Sequence, residues 1–222
     1  MKVDATDNQR TAWVWPTLSW DVVSKVKARL SGSSAPAPRH IRDIELTNMS
    51  HQFFSWWLEA RGDRPMPVRD DVSPKALVEL LPYFRLLRWE SENSLVFRIF
   101  GSALAEATGF DLTGYCTFGE ADYEGKAEDI ARLKLMHSHP CGLLLHRALT
   151  GPDGKNYICE LINLPVLGGG DGKDTIVGTV VTRNEVGEMM LDFKLTPPLH
   201  LVRAVFIDIG FGVPENVPYL EL

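Results

Sequence analysis

The chain has 222 residues, 45% of them apolar and 23% charged, with a formal net charge of −6. That is enough to bury a core, and an acidic balance without any lysine or arginine run excludes a basic stripe for nucleic acid or an anionic membrane surface. No apolar run approaches the ~20 residues that span a bilayer, the polar start "MKVDATDNQR" lacks the apolar stretch of a secretory signal, and Cys116, Cys141 and Cys159 are an odd, widely spaced set, so three thiols in the cytoplasm are expected.

Residues 1–44 read as an N-terminal extension. "SWDVVSKVKARLSG" places Trp20, Val23, Val26 and Leu30 on one helical face between Ser19 as cap and Gly32 as stop, and "SGSSAPAPRH" then interrupts regular structure. Trp13, Trp15 and Trp20 leave an apolar excess best covered by the chain's own body. A second helix is predicted through "NMSHQFFSWWLEARG", with Met49, Phe53, Trp56, Trp57 and Ala60 on its buried face and Gly62 at its end. "PVRDDVSPKALVELLP" predicts a helix of about two turns, capped by Ser73, opened by Pro74 and stopped by Pro82.

The period then changes. "FRLLRWE" and "SLVFRIF" are short, aromatic and branched, and the turn-prone "SEN" between them makes an antiparallel hairpin. Ser102 is placed to cap a short helix through "ALAEAT", with Gly109 leaving it at positive φ and Gly114 making the next bend. From Gly125 the pattern is helical again: Ala127, Ile130, Leu133 and Met136 or His137 share a face, Glu128 precedes Arg132 by four, and Pro140 ends the run. "GLLLHRAL", "KNYICELINLPV" and "TIVGTVVT" follow as strands joined by "TGPDG" and "GGGDGKD". The layout is α+β, one antiparallel sheet of five with the crossover helices between its second and third strands. The tail, 186–222, holds one extended apolar stretch, with Leu199, Leu201, Val205, Ile207 and Ile209 on one face, expected to dock on the same chain.

Two segments resemble a known family. "RPMPVRDDVSPKALVELLPYFRLL" resembles the Pro-x-Arg-x-x-x-x-Pro stretch and Leu-Leu-Pro stop of the bacterial stand-alone PAS-like proteins of the PAS_5 family, and "FRIFGSALAEATGFDLTGY" resembles their Arg-x-x-Gly and Asp-x-Thr-Gly stretches. Ser102 stands where threonine is expected. The resemblance covers 45–185 and implies a PAS-like sheet with flanking helices, a sensory or adaptor role in signalling, and no shared catalytic residue. It implies a small apolar hollow against the sheet, filled by side chains or by a ligand; Arg98, Phe100, Leu104, Phe110, Tyr115, His146 and Ile158 are the candidate lining residues. A signalling protein is the expected partner, a small ligand and a homodimer are both compatible with the chain, and no cofactor is indicated. An enzyme on a related α+β fold and a purely structural dimerisation module are the alternatives.

Other chemistry is poorly supported. His137, His139 and Cys141 in "HSHPC" lack a fourth metal ligand and straddle a helix end. His146, in an apolar strand, reads as a hydrogen-bonded core histidine rather than a haem ligand. "LGGGDGKDT" matches neither phosphate-binding glycine motif, because Asp174 follows Lys173 and a strand comes next. Cys116 lacks the Asn-Cys-Arg-Phe-Leu-Gln context of flavin-binding relatives, and Asp70, Asp71, Asp111 and Glu160 form no evident triad or acid pair. Arg98, if buried, needs an acidic partner such as Asp111.

Overall fold

The computed structural model describes residues 39–40, 44–118, 126–150, 156–183, 200–214 and 220–221; the helix expected at 19–32 and the "TGPDG" connection lie largely or wholly outside them. In chain order the elements are β1 (Arg39–His40), α1 (Asn48–Arg61), β2 (Phe84–Ser91), β3 (Ser94–Phe100), α2 (Ser102–Thr108), α3 (Lys126–Ser138), β4 (Gly142–Thr150), β5 (Asn156–Val166), β6 (Thr175–Arg183), β7 (His200–Asp208) and β8 (Leu220–Glu221).

The sheet order is β1-β7-β4-β5-β6-β2-β3, antiparallel throughout except for the short parallel pair β1–β7, with β8 added to β7. The five expected strands all form. The sheet is longer than expected because β7, from the tail, pairs with β4 from Gly142↔Ile207 to Ala148↔His200. Its apolar residues serve both faces, as in a strand covered on both sides: Ala204 and Phe206 enter one core cluster, Val205, Ile207 and Ile209 the other.

Each face of the sheet carries one cluster. The outer cluster packs α1 through Phe53, Phe54 and Trp57 against Leu86, Leu144, Ile162, Leu164, Val177 and Val205. Thr47 caps α1, accepting from Ser50 N, and Gly62 ends it at φ 56 with its N–H donating to Leu58 O and Glu59 O. Trp57 Nε1 donates to Pro165 O at 3.0 Å, which anchors the helix across the sheet. The inner cluster packs α2 (Leu104, Ala107) and α3 (Met136, with Ile130 and Leu133 beside it) against Leu87, Leu95, Phe97, Leu143, Leu145, Cys159, Leu161, Val180 and Phe206.

Three local expectations change. Residues 74–81 form no α-helix; tight 3₁₀ turns at Pro74–Leu77 and Leu81–Tyr83 replace it. The buried pair Leu77 and Leu80 is three apart, matching a three-residue turn, while Val78 faces out at 64% exposure. Neither Ser73 nor Ser102 caps through its side chain; Gly101 holds the N-cap position of α2 instead. Gly101 is needed there for close approach, since a Cβ would lie 2.2 Å from Pro82 O and 2.5 Å from Leu81 O. Arg132 pairs with Asp129 one turn away at 2.9 Å, rather than with Glu128.

Candidate functional site

Gly109 and Gly114 answer for the short turns after α2. Both take positive φ, 77 and 89, and the chain then runs back along the free edge of β3: Gly114 N donates to Phe97 O, Phe97 N to Tyr115 O and Thr117 N to Leu95 O, at 2.8, 3.0 and 2.7 Å. Asp111 Oδ1 accepts from Thr113 N at 2.9 Å, and that hydrogen bonding lowers its pKa. The Asp-x-Thr-Gly stretch is therefore a turn that covers a sheet edge.

The inner face is apolar except for one band of polar groups. Arg85, on β2, is only 8% exposed and crosses β6 to donate Nη2 to Asn163 Oδ1 on β5. Gly178 lies between them in the cross-strand row Arg85↔Gly178↔Asn163; a Cβ there would lie 3.5 Å from Arg85 Nε. Asn163 is held by its amide, which donates to Leu143 O at 3.1 Å and Leu161 O at 3.4 Å, so its oxygen is left to accept. Arg85 Nε is buried with no hydrogen-bond partner, and no carboxylate among the described residues pairs with this guanidinium. Burial pulls its pKa down to about 10; the Cys159 thiol opposes that shift and the like charge of Arg147 adds to it.

Further along the same face Arg147, Cys159 and Thr182 form a second row across β4, β5 and β6. Asp129, on α3, takes Arg132 Nη1 at 2.9 Å on one oxygen and Arg147 Nη2 at 3.4 Å on the other. Among the described residues, Arg132 Nε and Thr182 Oγ1 are buried without a hydrogen-bond partner. Cys159 and Cys141 are buried and their thiols are pushed up to about 12, chiefly by that burial, so neither is a nucleophile at neutral pH.

The candidate lining residues fall in different places. Phe100 and Leu104 belong to the inner cluster. Phe110 and Tyr115 lie outside it, 63% and 56% exposed. Ile158 is half-buried on β5, two residues from Glu160 and so on the outer face. His146 is on that outer face too, its Nε2 3.5 Å from Glu160 Oε2. Burial alone would raise the Glu160 pKa, but His146 and Ser50 beside it and the hydrogen bonds from the side chain and backbone of Thr47 outweigh that and hold the carboxyl at about 2. Thr47 supplies its N–H at 3.1 Å and its hydroxyl at 2.8 Å, so this pair ties the approach to α1 onto the sheet.

Arg98 corrects the expected pairing with Asp111. It is the extra residue of a β-bulge, since Leu86 pairs with Ile99 and Leu87 with Phe97. The bulge turns Arg98 to the surface, where it joins Glu90, which also takes Arg88 at 2.7 Å and Lys173. Those three cations, Lys173 foremost, hold the Glu90 carboxyl at about 2. In the "HSHPC" stretch His137 turns to Thr175 O at 2.9 Å while Cys141 enters the inner cluster.

Arg85, Asn163 and Arg147 were not singled out from the sequence. Two signals were available: Arg85 shares a strand face with Leu87 and Trp89, and a glycine interrupts "TIVGTVVT" where a crossing side chain requires room.

The fold is an antiparallel sheet with helices packed on both faces and a polar band across the inner one. The chain belongs to the PAS_5 family of PAS domains, whose family model matches residues 46–181. Neither the curated proteins nor the solved structures contain a match to it. Strand β7 lies beyond the matched residues yet completes the same sheet.

Proposed function

We propose that this chain is a non-enzymatic PAS-type sensory or adaptor protein of bacterial signalling, acting in the cytoplasm, which takes a small ligand against the inner face of its sheet and passes the change to a protein partner. The observation that carries this reading is a buried cation, Arg85, set in an apolar face with an unpartnered Nε. A polar group desolvated without partners costs stability, and a site that receives a ligand is where such a cost is offset. The ligand switches the partner to the extent that it binds one arrangement of α2 and α3 better than another.

The enzyme alternative would draw support from a convergence of His146, Arg98 and a carboxylate, and that support is missing among the described residues: His146 lies on the outer face beside Glu160, and Arg98 lies on the surface beside Glu90. The test is native mass spectrometry of freshly purified protein, with hydrogen exchange before and after mild stripping of small molecules. A retained small molecule whose removal raises exchange in α2 and α3 supports the reading. A retained small molecule whose removal leaves exchange in α2 and α3 unchanged sinks it.

A further inference from the structure

Resting on that reading, we infer that the inner face binds a small carboxylate with an apolar body, its charged end against Arg85. Arg85 has five N–H donors in a planar fork, and among the described residues one hydrogen bond, to Asn163, uses them. Asn163 is neutral and cannot balance the charge, and its amide is committed to Leu143 O and Leu161 O. The guanidinium is more than nine-tenths buried, so neither bulk water nor salt screens it well. A planar monoanion answers both shortages: it takes two N–H groups side by side and supplies the missing unit of charge. A phosphate dianion would bring more charge than this one fork balances. On the same face Phe100 is the cross-strand partner of Arg85, and Leu87, Phe97, Leu104 and Val180 belong to the apolar cluster that would meet the rest of the ligand.

The experiment titrates the full chain with hexanoate and benzoate, their uncharged counterparts hexanamide and benzamide, and inorganic phosphate, reading binding by calorimetry and by the unfolding temperature. The acids are expected to bind at least about tenfold more tightly than the amides, the size of one charge-assisted hydrogen bond in a desolvated site. Arg85→Met is expected to erase that preference and Arg85→Lys to restore part of it. Met removes the charge with a side chain of similar reach but leaves Asn163 Oδ1 without its donor, so the double variant Arg85→Met/Asn163→Leu, which removes both partners, is the control for folding. Acids and amides binding equally, Arg85→Met keeping the preference, or phosphate matching the acids each overturns the carboxylate assignment. In the first of these cases the ligand-binding reading still stands. If no probe binds and the purified protein retains no small molecule, both fall.

Discussion

Gly178 sits where the Arg85 side chain passes over β6, and a Cβ there would lie 2.1 Å from Ile162 O. Backbone that close cannot yield as a flexible side chain can, so strands β5 and β6 would have to separate locally. Gly178→Ala should therefore destabilise the protein by about 1–3 kcal/mol, the usual cost of overpacking an interior. Urea unfolding checks this, and an unchanged midpoint with an unchanged slope would show that the two strands have slack at this row. Elsewhere in a strand the same change removes a flexible residue and is often neutral or stabilising. The sequence marks the position as unusual, since a mid-strand glycine weakens a strand unless something passes close by, but it does not say what passes. That required the register Arg85↔Gly178↔Asn163, which depends on which strands are neighbours. Arg98 shows the opposite failure: its apolar neighbours are plain in the sequence, yet it is itself the extra residue of β3, left out of the ladder and at the surface, and it reverses the faces of Ile99 and Phe100 after it.

The tail is the element whose place was least legible. Its alternation was readable, but the sequence put Leu201 on one face with Val205, Ile207 and Ile209, whereas a register shift opposite Arg203 and Leu201 sends Leu201 to the inner cluster with Ala204 and Phe206. Burial of Val205, Phe206, Ile207 and Ile209 is worth about 1.5–3 kcal/mol each, on the order of 10 kcal/mol together before the cost of ordering the segment. A whole domain has only about 5–15 kcal/mol in hand. A chain ending after residue 185 should therefore fail to unfold cooperatively, with β4 left as an apolar edge that aggregates. Differential scanning calorimetry of the shortened chain beside the full one decides it: a single sharp transition near the full chain's temperature would mean that β7 is only an accessory strand. The hairpins and α1, by contrast, follow closely from local signals, since their apolar period, caps and turn residues are contiguous in the chain. Local propensity reaches its limit at 74–83, where two prolines permit both a broken helix and successive 3₁₀ turns, and the packing of Leu77 and Leu80 selects the second.

At the scale of the whole molecule, two of the carboxylates with lowered pKa values, Glu160 and Glu90, can be told apart by their response to acid. Glu160 and Glu90 both have folded-state pKa values of about 2 against an ordinary value of 4.5. A depressed folded pKa adds stability that is fully present above about 4.5 and is lost as the pH falls from there toward about 2, because the unfolded chain takes up protons first. The two groups differ in how salt should affect that loss. Glu90 is on the surface among Arg88, Arg98 and Lys173, so its share should shrink when salt shortens the screening length to a few ångströms. Glu160 is fully buried and held by direct hydrogen bonds from Thr47, so its share should persist. Urea unfolding at a series of pH values from 6 to about 2, at low and at about 0.5 M salt, separates them. Glu160→Gln should flatten the acid slope at both salt concentrations and weaken the protein at neutral pH, where an uncharged amide oxygen accepts from Thr47 less strongly than the carboxylate does and an NH2 group is buried in place of Oε2. Glu90→Gln should flatten the slope at low salt alone. If Glu160→Gln runs parallel to the parent across this range, the carboxylate that ties the start of α1 to the sheet is not what acid breaks, and the effect of Glu90→Gln at low salt then shows whether the cluster around Glu90 is.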